Sequence, residues 1–157
     1  MMKVDPITLS VVRGILETTQ REMTLSLEKT SRSSVLNLAR DYSTSLFNAT
    51  PEMILQGQDI PIHLGSLMPA MKAVANFFSG EIHEGDLILH NDPAYNGSHI
   101  LDMCIYKPVF FEGKHVFWTV CKGHLTDAGG PVPASYNPEA TEIFAEGLRV
   151  PPIKLWE

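Results

Sequence analysis

Residues 103–111 and 115–121 are two apolar, largely β-branched or aromatic segments separated only by Glu112-Gly113-Lys114. No other feature limits the fold so tightly. A connection this short, with glycine in it, joins antiparallel strands and predicts a hairpin. Its open end is equally informative. His99-Ile100-Leu101-Asp102 precedes the first strand, and His124-Leu125-Thr126-Asp127 follows the second. Antiparallel pairing returns those two ends to one edge of the sheet. The hairpin therefore predicts His99, Asp102 and His124 within reach of a single ion. Imidazole and carboxylate groups on turn-rich loops, with Asn96-Gly97-Ser98 before and Gly129-Gly130 after, make a mixed N/O donor set. Zinc, manganese or iron takes such a set. The competing reading of each pair is an aspartate that caps a turn or orients a structural histidine.

The remaining segments predict an α+β fold with a long N-terminal helix, a mainly antiparallel sheet and glycine-rich metal-binding loops. Asp5-Pro6 is a helix start, a carboxylate cap followed by proline at the first position. Ile7, Val11, Ile15, Met23 and Leu27 recur at near-helical spacing, so one amphipathic helix covers about 6–31 and ends at Ser31–Ser34. Tyr42–Phe47 is a strand entered through the polar turn Arg40-Asp41. Thr50-Pro51 breaks it, and Met53-Ile54-Leu55 resumes a short paired strand. Residues 59–66 are expected as a loop whose Gly65-Ser66 caps a following helix. That helix buries Leu67, Met71, Val74 and Phe78, with Pro69 in its first turn. Gly85–His90 is a short buried strand closed by Asn91-Asp92-Pro93, and 91–102 is loop. A Gly/Pro-rich loop covers 123–138, a short helix is expected near Glu139–Glu146, and residues 149–157 show no closing pattern.

At 157 residues the chain suits a single domain, 1–157, with a real core. Its net charge of −6 argues against a nucleic-acid partner. No apolar run approaches a membrane span. Asp5-Pro6 stands where a leader's apolar stretch would lie, so the cytoplasm is the expected compartment. There the glycosylation sequon Asn48-Ala49-Thr50 carries no meaning. Cys104 and Cys121 read as buried free thiols.

Other polar residues divide between chemistry and turn-making. Asp41 is a further ligand candidate in a polar turn. His63 could bind an anionic substrate or stabilise its loop. Lys122 could pair with a substrate phosphate or carboxylate, or stay solvated. Asn91 and Asp92 shape a turn; His83, His90 and His115 are structural; Trp118 packs. Nothing local supports Tyr136 or Arg149 facing a ligand. No phosphate-binding glycine loop, nucleophile elbow or Cys-x-x-Cys pair is present.

With these segments placed, the chain resembles the hydantoinase B/oxoprolinase family. The resemblance rests on Asp5-Pro6-Ile7-Thr8-Leu9, Arg40-Asp41-Tyr42-Ser43, Ile60-Pro61-Ile62-His63-Leu64-Gly65-Ser66, and Gly85-Asp86 through Asn91-Asp92-Pro93. It continues through Gly97-Ser98-His99-Ile100-Leu101-Asp102, His124-Leu125-Thr126-Asp127-Ala128-Gly129-Gly130 and Glu146-Gly147-Leu148-Arg149-Val150-Pro151-Pro152-Ile153-Lys154. Such a resemblance implies one subunit of an ATP-dependent complex. A hydantoinase A-like partner uses ATP to phosphorylate the substrate carbonyl oxygen. The B-type subunit completes the reaction at one divalent metal ion: zinc, manganese or iron. Its amidohydrolase members open a hydantoin, 5-oxoproline or another lactam. In the related acetone and acetophenone carboxylases, an enol phosphate meets activated bicarbonate. The resemblance maps the metal ligands onto Asp41, His99, Asp102 and His124. It leaves Asp127 to orient His124 or a water, or to transfer a proton, and His63 to hold phosphate.

Two departures bear on substrate contacts. Leu125 replaces a second consecutive histidine, and Lys122 stands where the family pattern has arginine. Members are also much longer. The chain is thus expected as an N-terminal portion, truncated or split, with a further chain carrying the rest of the B-type fold. A catalytically silent assembly module is the remaining alternative.

Overall fold

The computed structural model describes residues 5–58, 60–133 and 137–156, and of Leu64 the backbone only. It is α+β, as expected. Helix α1 spans Pro6–Thr30; the Asp5 carboxylate accepts from the Thr8 N–H, and the extended Ser31 ends the helix. A short helical turn, Ser34–Asn37, leads into strand β1, Tyr42–Asn48, which pairs antiparallel with β2, Met53–Gln56. Helix α2, Ile62–Phe77, precedes β3, Leu87–His90. The hairpin is β4, Asp102–Phe111, and β5, Lys114–His124. Glu112 and Gly113 both have positive φ, 48° and 73°, the backbone a two-residue hairpin turn needs. Strand β6, Ile153–Trp156, completes a six-stranded sheet of order β2-β1-β5-β4-β3-β6, every neighbouring pair antiparallel.

Each sheet face takes a helix. On one face Leu67, Met71 and Val74 of α2 pack on Phe47, Ile88, Cys104, Tyr106, Trp118 and Val120, which form the buried core. On the other, the second half of α1 is pinned through side chains: Gln20 and Thr24 bond to Thr44 of β1. This sandwiching buries the polar run Ser43-Thr44-Ser45 completely. The first half of α1 leaves Ile7, Val11 and Ile15 more than half exposed, so only part of the apolar stripe meets the sheet. Cys104 and Cys121 are free thiols. Among the described residues no helix is long and apolar enough to cross a membrane.

Four expectations are corrected. Residues 62–66 are helical rather than loop. Pro61 already has helical backbone angles and the Ile60 carbonyl accepts from His63 N–H, so the helix starts a turn early. Pro69 then falls inside the helix, and Ser66 bonds back to the His63 carbonyl instead of capping. The segment 139–146 holds only a 3-10 turn, Ile143–Ala145. Just beyond it, Gly147 pairs with Gly129 through the backbone. Finally, 153–156 is a strand, formed by pairing with the distant β3.

Candidate metal and substrate site

Strand periodicity selects which side chains meet. Alternate residues of a strand share a face. On the face covered by α2, β4 opens with Asp102, β5 closes with Lys122 and His124, and β1 supplies Ser43. The register sets Asp102 opposite His124 and Ser43 opposite Lys122. Asp41 directly precedes β1, and its carbonyl accepts from the His124 N–H at 3.0 Å. His63 and Ser66 lie on the first turns of α2. Ser98 and His99 come from the loop before β4. Together Asp41, His63, Ser66, Ser98, His99, Asp102, Lys122 and His124 line one cavity of about 500 Å3. The hairpin edge thus brings His99, Asp102 and His124 to one cavity, and Asp41 joins them from just before β1.

Asp102 has three side-chain partners in the cavity. Its Oδ1 accepts from His124 Nδ1 at 3.0 Å, and its Oδ2 from Ser98 Oγ at 2.7 Å and from the Lys122 ammonium at 3.1 Å. Burial by itself would raise its pKa. The Ser98 bond, the Lys122 charge and the His124 bond outweigh burial and hold it at about 2. Lys122, 1% exposed, also donates to Ser66 Oγ at 2.7 Å and to Ser98 Oγ. It is buried rather than solvated.

His63 is buried. Its Nδ1 bonds Ser43 Oγ at 3.0 Å and its Nε2 stands 3.6 Å from Asp41 Oδ1. Burial first, then the Lys122 charge, pushes its pKa down and favours the neutral ring. The His99 and His124 rings are 5.3 Å apart. His99 Nδ1 lies 4.0 Å from Glu146 Oε2.

Other sequence candidates fall outside this cavity. Asp127 is exposed, and its carboxylate accepts from the Gly129 N–H at 2.7 Å in a local turn. Arg149 makes a two-pronged ion pair with Asp92. Asn91 and Asp92 shape the loop as expected, and Trp118 is core. Tyr136 lies outside the described residues. Ser66, Ser98 and Glu146 were missed as partners of the site. The only local signal was Ser98, four residues ahead of Asp102 on a tight turn.

The donor chemistry of the lining, three imidazoles and two carboxylates, is of the kind a divalent ion takes. Among the described residues no three such donors already stand in ligating positions. Asp102, engaged on both oxygens, accounts for part of that.

A model of the hydantoinase B/oxoprolinase family matches residues 5–157. The chain belongs to that family. Within hydantoinase B/oxoprolinase proteins, it is 78% identical over 156 residues to caprolactamase subunit beta of Pseudomonas jessenii, covering 99% of this chain and 27% of that protein. It is 29% identical to the 5-oxoprolinase of Saccharomyces cerevisiae, over 95% of this chain and 12% of the relative. The crystal structure of the ATP-dependent caprolactamase from Pseudomonas jessenii superposes with a TM-score of 0.92 at 77% identity, over 99% of this chain and 27% of the other. A nucleotide-free acetone carboxylase shares the fold, with a TM-score of 0.86 at 23% identity over 96% and 20% of the two chains. The chain therefore spans about a quarter of the caprolactamase subunit it matches.

Proposed function

We propose that this chain forms the metal-bearing part of the B-type subunit of an ATP-dependent lactam hydrolase. The observation that carries the reading is the convergence of Asp41, His99, Asp102 and His124 on one cavity, in a chain 78% identical to a caprolactamase subunit. That identity supports a cyclic amide as substrate. A lactam carbonyl is a poor electrophile. Phosphorylation of its oxygen by a hydantoinase A-like partner, at the expense of ATP, creates a leaving group. Water then adds to the ring carbon, the C–N bond breaks to open the ring as an acyl phosphate, and a second water releases phosphate to leave an amino acid.

Asp41, His99, Asp102 and His124 would hold one zinc, manganese or iron ion. Such an ion, when bound, supplies hydroxide from water near neutral pH. The other roles belong to this chain's own groups. Asp102, held at about 2, is a full carboxylate at neutral pH. Burial favours the neutral ring of His63, whose Nδ1 is bonded to Ser43 Oγ and whose Nε2 faces Asp41 Oδ1 at 3.6 Å. From there the ring can donate to a phosphoryl oxygen. Asp127 acts at a distance, fixing the turn by which the chain leaves His124.

The test uses the complete subunit purified with its hydantoinase A-like partner. Caprolactam and other lactams are assayed for ATP-dependent ring opening, and bound metal is quantified. His99→Ala and His124→Ala are expected to lose the ion and to lower kcat/KM by on the order of a thousandfold. Unchanged metal content in a folded complex would overturn the reading and favour an assembly module. Bicarbonate incorporation into a ketone without ring opening would assign the chain to the carboxylases.

A further inference from the structure

Lys122 lines the cavity, and its ammonium is held by three partners. An ammonium carries three N–H donors. Here it donates to Ser66 Oγ and Ser98 Oγ and forms an ion pair with Asp102 Oδ2 at 3.1 Å. Each partner passes the contact onward. Ser66 Oγ donates to the His63 carbonyl at 3.0 Å. Ser98 Oγ donates to Asp102 Oδ2 at 2.7 Å. Asp102 Oδ1 accepts from His124 Nδ1 at 3.0 Å. One buried cation therefore joins the first turns of α2, the loop that carries His99, and the paired ends of β4 and β5.

We propose that Lys122 is a positioning residue that sets the distance between the His63 side of the cavity and the Asp102–His124 side. This rests on the metal reading above and deepens it. A buried ammonium is costly unless its partners close around it, so the three are drawn to one point. Ser98 and Asp102 form the arm that aims the metal donors, and Ser66 forms the arm that places His63 for the substrate phosphate. An apolar side chain of similar length fills the same volume but holds neither arm. Arginine has enough donors, in a planar fork, to hold both.

The two arms separate in experiment. In the complete complex, zinc affinity is measured by competition with a chromophoric chelator, beside kcat and KM for the lactam and a thermal melt. Lys122→Met is expected to weaken zinc binding tenfold or more, within the ~10–100-fold typical when a group supporting a ligand is lost. Lys122→Arg should restore it to within about threefold, as a retained charge-assisted fork implies. Ser98→Ala should weaken zinc binding with little change in the melt. Ser66→Ala should leave zinc affinity near the wild-type value and raise KM. A Lys122→Met complex that melts lower but keeps zinc affinity and KM would overturn the proposal, since a merely structural cation predicts that result. Should Lys122→Met fail to fold, Ser98→Ala with unaltered zinc affinity would overturn it equally. Wild-type complex that binds no zinc, manganese or iron would instead sink the metal reading itself.

Discussion

His90 has no role at the cavity, yet it sets a pH dependence. The ring is fully buried, with Nε2 bonded to the Asp92 carbonyl at 3.0 Å and Nδ1 to the Tyr106 hydroxyl at 3.3 Å. Burial lowers its pKa, and the Asp92 carbonyl offsets only part of that shift. An unfolded histidine titrates near 6.5. As pH falls below that value, the unfolded chain takes up a proton that the folded chain refuses, so stability falls. His63 and His115 shift in the same direction. Urea midpoints are expected to be lower at pH 5.5 than at pH 7.5, and His90→Gln should make the difference smaller. An unchanged pH slope in that variant would rule out His90 as a source. Residue types and the predicted hairpin grouped His99, Asp102 and His124, because antiparallel pairing returns both strand ends to one sheet edge. They did not reveal what Lys122 does, because its three partners come from separate parts of the chain.

Among the elements, the loop between β3 and β4 places His99 and is held by one close approach. A Cβ on Gly97 would stand 2.3 Å from the Asn91 carbonyl oxygen and 2.7 Å from its carbon. The Asn91 side chain donates to the carbonyls of Ile100 and Leu148 and accepts from the Val150 N–H. Gly97→Ala must therefore push the loop off the amide that ties it to residues 148–150. It should destabilise by about 3 kcal/mol, the cost of leaving one or two buried polar groups unpaired. Gly113→Ala, at φ 73° with open space around it, should cost only about 1 kcal/mol for the left-handed backbone. Chemical denaturation compares the two, and equal losses would show that the Gly97 contact does not hold the loop. The hairpin was legible because its turn chemistry is local. The early start of α2 was less so, since an Ile-Pro-Ile-His segment reads equally well as loop. Strand β6 exists only through β3, so a four-residue segment after two prolines gave no sign of it.

On the scale of the whole molecule, the candidate site gathers side chains from α2, β1, β4, β5 and one loop. An ion bound there would couple all of them to folding. Ligand binding to the native state alone adds RT ln(1 + [L]/Kd), about 2.7 kcal/mol at a hundredfold excess over Kd. Chelation should therefore lower the melting temperature of the wild-type complex. A His124→Ala complex should melt at the same temperature with and without chelator. A wild-type melt insensitive to chelator would contradict an ion at this site.

Local properties of the chain dictated the long capped helix, the hairpin and the return of two His-x-x-Asp segments to one sheet edge. Periodicity, caps and turn residues act over a few neighbours, so they can be read without a partner. Family membership, too, was carried by motifs spread along nearly the whole length. Tertiary structure decided which members of those motifs meet. Asp102 and His124 share the α2-facing side because the register pairs them, whereas Asp127, beyond the strand end, turns back on Gly129. Lys122 is buried because α2, earlier in the chain, closes over β5 and supplies Ser66, while Ser98 and Asp102 come from the loop and strand that precede β5. Contacts between segments so far apart are set by packing and register, which no local pattern encodes.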